Sequence, residues 1–412
     1  MRIEYPHRHE RFGAVRIHDS TQVIELDSGL GGEEEETTVQ GRSVNLVPPA
    51  DVNAVEQQMA IIVPTKNERR KIIEGVLSGI PHDCLIILVS ASDREPIDRY
   101  ELESHLVERF SHVAERPAIL AHQHDPVMAQ AVTAAGFGDM VGEDGVIRPG
   151  KGEGMMLGVM LAMLAGKRHV GFVDADNYVP GAVHEYVKAF AAGLHLAPTP
   201  YAMVRISWQS KPKVEDGRLV FNRWGRTTQV TNRFLNAVLS TYNGFGTEII
   251  STGNAGEHAM TIELAKRLRM AGGFAVEPFQ FIDLFEQFGG AFPSPHPEVT
   301  RSLVDVFQTE TRNPHFHEDK GAGHVVDMRL QALNVLYHSR ICPEAVRDEI
   351  CEFLVDNGVL ASGEEPPIER IYRPLEEADL DALWEVLRTE PGDFRQIQRR
   401  RATAISVEDP IG

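Results

Sequence analysis

Short apolar runs, each ended by a small polar cluster and followed by a segment of helical period, constrain this chain more than any other feature. Ala60-Ile61-Ile62-Val63 stops at Pro64, and Leu85-Ile86-Ile87-Leu88-Val89 stops at Ser90-Ala91-Ser92-Asp93. His169-Val170-Gly171-Phe172-Val173 runs into Asp174-Ala175-Asp176. Runs of this length without alternation read as strands buried on both faces. Between them, residues 68–79 place Ile72, Ile73, Val76 and Leu77 on one helical face. Helices are also expected over 97–110, 152–166 and 180–194, the last opening on Pro180, whose missing N–H costs nothing there. Strands alternating with helices predict an α/β protein: a Rossmann-type, mostly parallel sheet flanked by helices. Ligands of such sheets lie beyond the carboxyl ends of the strands. The clusters at 64–68, 90–93 and 174–176 all fall at that edge, which argues for one shared site.

Elsewhere the pattern is weaker. Residues 15–17 and 23–26 read as two short strands, 118–121 as a third strand of the sheet, and 201–208 and 273–277 as later strands. Beyond residue 325 the pattern turns helical over 326–339, 343–357 and 379–389, interrupted by the Pro- and Glu-rich stretch 363–374. This predicts an N-terminal segment, 1–58, packed on a main domain, 59–324, with a helical C-terminal region, 325–412. The acidic run Glu33–Glu36 and the basic Arg399–Arg401 read as solvated.

Composition narrows the function. Lys and Arg number 41 against 60 Asp and Glu, a net charge of −19. That balance disfavours a nucleic-acid partner, which needs a basic face. An anionic substrate must then be met locally, by a metal ion or a few chosen basic residues. Three cysteines, Cys84, Cys342 and Cys351, form no CxxC pair and no disulfide framework, as expected in a reducing, cytoplasmic setting. The most apolar stretch, 155–165, is too short to span a bilayer.

Six motifs can carry chemistry. Asp174 and Asp176 offer hard oxygens from one side of a strand end, suited to Mg²⁺ or Mn²⁺, or else cap the following helix. Pro64-Thr65-Lys66-Asn67-Glu68 is a strand-to-helix turn able to meet a nucleotide; Thr65 and Glu68 also have capping-box spacing. Gly150-Lys151-Gly152-Glu153-Gly154 supplies close backbone approach and a point charge for phosphate, without being a Walker loop. His315 and His317 form a His-x-His able to join the carboxylates on a metal. Gly253-Asn254-Ala255-Gly256-Glu257-His258 reads as an acceptor pocket or as a helix-capping turn. Arg223-Trp224-Gly225-Arg226-Thr227-Thr228 suits phosphate or carboxylate, or is a surface turn.

The strings VPTKNER, GKGEGM, VGFVDADNYVPGAV, NAGEHAM and ETRNPHFHE, in this order, resemble the mannosyl-3-phosphoglycerate synthases, retaining glycosyltransferases of GT-A type. The resemblance implies transfer of mannose from GDP-mannose to 3-phosphoglycerate. It implies donor contacts by Pro64, Thr65, Glu68, Ser90, Lys151, Asp174 and Ala175; similarity to the related glucosyl-3-phosphoglycerate synthases implies acceptor contacts by Gly225, Arg226 and Thr228, to which the pocket reading of 253–258 adds Asn254. It also implies a divalent metal on Asp176 and His317, Mg²⁺ first, with Mn²⁺, Co²⁺ or Zn²⁺ as other ions of the right charge. The family's arginine in the nucleotide motif is Lys66 here. Lys151, Asp174 and Glu257 are the candidate catalytic residues; Asp174, Glu257 and Glu153 are the carboxylates that a double displacement would require beneath the anomeric carbon. Front-face attack, with the leaving phosphate taking the proton, is the expected route. A homodimer through the C-terminal helices is expected too. The rivals are a glucosyl-3-phosphoglycerate synthase using another sugar nucleotide and, less well matched for want of glycines after the first strand, a sugar-phosphate nucleotidyltransferase.

Overall fold

A computed structural model describes residues 1–26, 38–39, 42–208, 211–215, 218–222, 226–313, 315 and 322–398. Its centre is a mixed sheet whose middle strands are parallel. Met59–Thr65 pairs in parallel with Leu85–Ser90 on one side and His169–Phe172 on the other; Leu85–Ser90 in turn pairs in parallel with Ala118–His122. Ala202–Trp208, Val304–Thr311 and Val15–Glu25 continue the sheet as a second parallel set. The two sets are joined by His258–Thr261, antiparallel to both of its neighbours. The strand that joins them therefore runs backwards, so its start, His258, lies beside Phe172, the end of one neighbour, and beside Arg205 within the other.

Side-chain alternation along these strands builds two cores. Ala60, Ile62, Ile87, Val89, Ile119 and Met203 face a layer that includes the helices Pro126–Ala134, Lys151–Leu164 and Val276–Phe288. Ile61, Val63, Ile86, Leu88, Leu120, Val204 and Ile206 face Pro49–Gln57, Arg70–Gly79, Arg99–Ala114 and Pro180–Leu196. Every residue of Leu85–Ser90 is buried, as the unbroken apolar run requires. The expected α/β architecture with helices on both faces is the one observed.

The C-terminal helices Ala322–Tyr337, Glu344–Asp356 and Leu380–Thr389 contribute Leu333, Ile350 and Leu383 to the first core. The short strand Ile371–Tyr372 pairs with Met270–Ala271, and Arg395–Ile397 adds antiparallel to Ala118–His122 at the sheet edge. Among the described residues no helix is long and apolar enough to cross a membrane.

Three local expectations fail for stated reasons. Residues 15–17 and 23–25 belong to one strand, Val15–Glu25, because Val304–Thr311 pairs with it in parallel as far as Gln22 and Arg2–Glu4 pairs with it antiparallel at Val23 and Glu25. Residues 273–277 are not a strand: a 3₁₀ turn, Gly273–Ala275, leads into the helix Val276–Phe288, and Pro278 in its first turn was the signal. Thr65 is not a helix cap. It ends its strand opposite Ser90, and the helix starts only at Arg70, with no side-chain cap. Among the helices not anticipated are Pro49–Gln57, Arg226–Asn243 and Pro126–Ala134, the last although Asp125 caps it and Pro126 opens it.

Candidate active site

The carboxyl edge of the sheet gathers the motif residues. Lys151 is the first residue of the helix Lys151–Leu164, and Asp174 follows the strand His169–Phe172. The Lys151 ammonium lies 2.6 Å from Asp174 Oδ1 and 2.6 Å from Glu277 Oε1. Burial alone would push this ammonium down; the two carboxylates outweigh it and hold it above its ordinary value. Lys151 therefore stays charged throughout any working pH. Its helix begins here because Gly152 lets the chain pass Ala271: a Cβ at 152 would sit 2.1 Å from the Ala271 carbonyl oxygen.

Glu257, one residue before the reversed strand, is fully buried. Its Oε1 accepts from the Asn177 amide, and its Oε2 has no partner among the described residues. Burial, then the Asp174 charge, pushes its carboxyl up to about 8, against the pull of Lys151. Asp176, half-buried, adds to that push. Close packing fixes Asp174 as well, since a Cβ on Gly256 would lie 2.5 Å from Asp174 Oδ2.

The segment 249–257 has no regular structure but is pinned throughout. The Asn236 side chain bonds both the N–H and the carbonyl of Ile250, and Asn232 Oδ1 accepts from Gly253 N–H. Gln308 Oε1 accepts from Ser251 and Thr252. Buried Arg205 donates to the carbonyls of Thr252 and Gly253 and to Gln280 Oε1. Gln280 therefore turns its amide NH₂ to His258 Nε2 at 2.7 Å, which leaves the proton on Nδ1, donated to the Ala255 carbonyl at 2.9 Å. Burial lowers the His258 imidazole far below its ordinary value, so it stays neutral. His258 thus holds the loop rather than lining a pocket. The loop presents Asn254, which is 6% exposed and whose two amide atoms have no partner among the described residues. Asn254 is in the state of a side chain preorganised for a polar ligand.

At the neighbouring strand ends, Thr65 is buried with its hydroxyl unpartnered among the described residues. Pro64 and Glu68 are half-buried, and Ala175 is buried. Ser90 differs: its hydroxyl donates to Glu103 Oε2 at 2.6 Å, and Ser92 donates to Oε1 of the same carboxylate. Ser92 Oγ also accepts from Asn67 N–H, so Glu103 ties together the turns that follow Met59–Thr65 and Leu85–Ser90. Thr228 lies buried in the first turn of the helix Arg226–Asn243, with Arg226 as its first residue. Gly225 and His317 lie outside the described residues. His315 is buried against the Trp208 ring at 4.2 Å, with the Tyr186 hydroxyl 3.5 Å from Nδ1.

Three residues escaped the sequence reading. Glu277 was hidden by the strand expected over 273–277. Glu103 sits in a helix interior with nothing to mark it. Arg205, inside an apolar strand, was the legible one, because a buried Arg must be satisfied. Glu153 carries a structural duty: it accepts from Tyr372 Oη at 2.8 Å and Gly273 N–H at 3.0 Å.

Among the described residues no group of three or more His, Cys, Asp or Glu side chains gathers as a metal set. The donor chemistry nevertheless fits a divalent ion. Asp174 and Glu277 pair with Lys151, while Glu257 feels the charges of Asp174, Asp176 and Lys151, and that excess of carboxylate oxygen over one ammonium suits a small dication.

A sequence profile of the mannosyl-3-phosphoglycerate synthases matches residues 5–387. The mannosyl-3-phosphoglycerate synthase of Pyrococcus furiosus is 43% identical over 388 residues, covering 94% of this chain and 97% of that one. The synthase of Aeropyrum pernix is 35% identical over 376 residues, covering 91% and 94%. Among solved structures, glucosyl-3-phosphoglycerate synthase from Mycobacterium tuberculosis, in complex with Mn²⁺, UDP and glucosyl-3-phosphoglycerate, aligns with a TM-score of 0.46 at 17% identity, covering 80% of this chain and 97% of that one. Identity sustained across nearly the whole length places the chain in the mannosyl-3-phosphoglycerate synthase family.

Proposed function

We infer that the chain transfers mannose from GDP-mannose to the 2-hydroxyl of 3-phosphoglycerate with retention, releasing GDP. The observation that carries this reading is the Lys151 ammonium fixed between Asp174 and Glu277 at the carboxyl edge of the sheet. A permanent cation there favours a leaving diphosphate over a neutral ground state. Thr65 and Glu68 stand where the nucleoside would lie, and Asn254 and Thr228 where the acceptor would lie. Asp176 and His317 would hold the metal, which when bound supplies Lewis-acid neutralisation of the leaving diphosphate.

The proton and nucleophile roles follow from the side chains. Glu153 is committed to Tyr372 and Gly273 and does not serve as a nucleophile. Glu257, pushed up to about 8, is mostly protonated at neutral pH. Asp174 is ion-paired to Lys151. Front-face attack therefore fits best, with the acceptor hydroxyl giving its proton to the departing phosphate oxygen. The reading extends to a homodimer through the C-terminal region, where Val326, Ile368 and Trp384 are exposed; light scattering tests that part.

The test of the reaction is a phosphorus NMR assay with GDP-mannose, 3-phosphoglycerate and Mg²⁺ or Mn²⁺. GDP release with a new phosphomonoester signal, lost in Asp176→Ala and His317→Ala, supports the reading. Product only from UDP-glucose would move the chain to a glucosyl transfer.

A further inference from the structure

We propose that Asn232 binds the carboxylate of the acceptor through its side-chain N–H. The inference rests on the reading above that Thr228 and Asn254 stand where the acceptor lies, and it adds a residue and the group that residue recognises. The helix Arg226–Asn243 is joined to the segment 247–253 by a ladder of side-chain bonds, one rung at every fourth helical residue. Ser240 Oγ accepts from Thr247 N–H at 3.0 Å. Asn236 Oδ1 accepts from Ile250 N–H at 3.0 Å, and its Nδ2 donates to the Ile250 carbonyl at 2.9 Å. Asn232 Oδ1 accepts from Gly253 N–H at 2.7 Å. Four residues along the helix thus match three along the segment. Carried one turn further, the same step sets Thr228 level with Gly256, the glycine packed on Asp174 and Lys151. Asn232 is the last rung before that centre.

This rung differs from the one below it. Asn236 uses both amide atoms, whereas Asn232 Nδ2 has no partner among the described residues, although the residue is only 5% exposed. The loop carbonyls of Thr252 and Gly253 accept from Arg205 instead. Next to Gly253, Asn254 likewise has neither amide atom partnered among the described residues. Buried polar groups are normally bonded, so two unpartnered amides on adjoining elements mark where a ligand completes the bonding. Neutral donors suit a carboxylate here, because they bind the anion without adding a cation for Asp174 or Glu257 to capture. Phosphate, the more highly charged end of the acceptor, is favoured one turn earlier, at the start of the same helix, by the first-turn N–H groups and the dipole. The two turns are about 6 Å apart along the axis, a span that the two anionic ends of a three-carbon acceptor bridge.

The test measures steady-state constants of the full-length protein with GDP-mannose, 3-phosphoglycerate and Mn²⁺, for wild type, Asn232→Asp, Asn232→Leu and Asn236→Leu. Asn232→Asp keeps an oxygen for the Gly253 N–H and replaces only the donor, with an oxygen that repels the acceptor. Loss of a hydrogen bond to a charged group predicts a KM for 3-phosphoglycerate raised about 10-fold or more, with the KM for GDP-mannose near wild type. Asn232→Leu removes the donor without adding charge, so it carries the test should Asn232→Asp fold poorly; the same split is expected. Asn236→Leu breaks two loop bonds one rung further away and controls for a loosened loop; its acceptor KM should rise less than in either Asn232 variant. Glycerol 3-phosphate keeps the phosphate and lacks the carboxylate. The preference for 3-phosphoglycerate over this analogue, measured by competition, should shrink in Asn232→Leu. An acceptor KM at the wild-type value in both Asn232 variants, or matched by that of Asn236→Leu, overturns the role of Asn232. An unchanged preference overturns the carboxylate assignment. A wild type that makes no product from 3-phosphoglycerate overturns the acceptor reading, and this inference with it.

Discussion

Lys151 and Glu277, separated by 126 positions in the chain, meet at 2.6 Å between the starts of two helices. Glu277 is in the first turn of its helix, where a carboxylate is favoured by the helix dipole, and its Oε2 has no other partner among the described residues. Lys151→Met would leave a buried carboxylate uncompensated. Breaking a buried pair costs about 3–5 kcal/mol. A loss of that order in urea unfolding is expected, together with loss of transferase activity. Glu277→Gln should keep more of the stability than Lys151→Met, because Asp174 still pairs with the ammonium.

Gly256 lies against Asp174 so closely that no side chain fits between them without moving the carboxylate. Gly256→Ala is expected to displace Asp174 from Lys151 while leaving both cores intact. Misplacement of a reacting group by about 1 Å costs on the order of 100-fold in rate. kcat/KM should fall by that order, with a thermal midpoint close to wild type. An unchanged rate would remove Asp174 from the chemistry.

Glu257 makes ligand-free stability depend on pH. Its carboxyl sits at about 8 in the fold against an ordinary 4.5, so between those values the folded state holds a proton that the unfolded state has lost. Stability is then fully present below about 4.5 and declines as pH rises through about 8. Glu257→Gln keeps the bond from Asn177 and removes the titration. Calorimetry at pH 5 and pH 8 should show the variant gaining on wild type at the higher pH, and a constant difference would contradict the assignment.

Tyr372 ties the C-terminal segment to the helix that starts with Lys151, through Glu153. Tyr372→Phe leaves one oxygen of a buried carboxylate without that donor. Hydrogen bonds to charged groups contribute about 1.5–3 kcal/mol, and a loss in that range is expected by chemical denaturation. The KM for donor should rise as the start of the Lys151 helix loosens; truncation to the same stability at a remote core site should leave that KM unchanged.

Much of this protein is legible in its sequence. The unbroken apolar runs at 60–63, 85–89 and 169–173 are buried because a central strand has no polar face to offer, and the polar residues ending them fall at one edge because parallel strands end together. Asp174, Lys151, Thr65 and Asn254 were visible as types of residue at such ends. The sequence did not show that Glu277 completes the Lys151 site, that Glu185 accepts from Arg312 and Asn313, or that Arg205, Gln280 and His258 hold the loop 249–257. Nor did it show the reversed strand His258–Thr261, whose direction puts Glu257 at the same edge as Asp174. Local periodicity reports which face of an element is apolar. It does not report which elements become neighbours. That is decided by the order of strands in the sheet, and pairs such as Lys151 with Glu277 exist only once the packing of both cores has set two distant helix starts side by side.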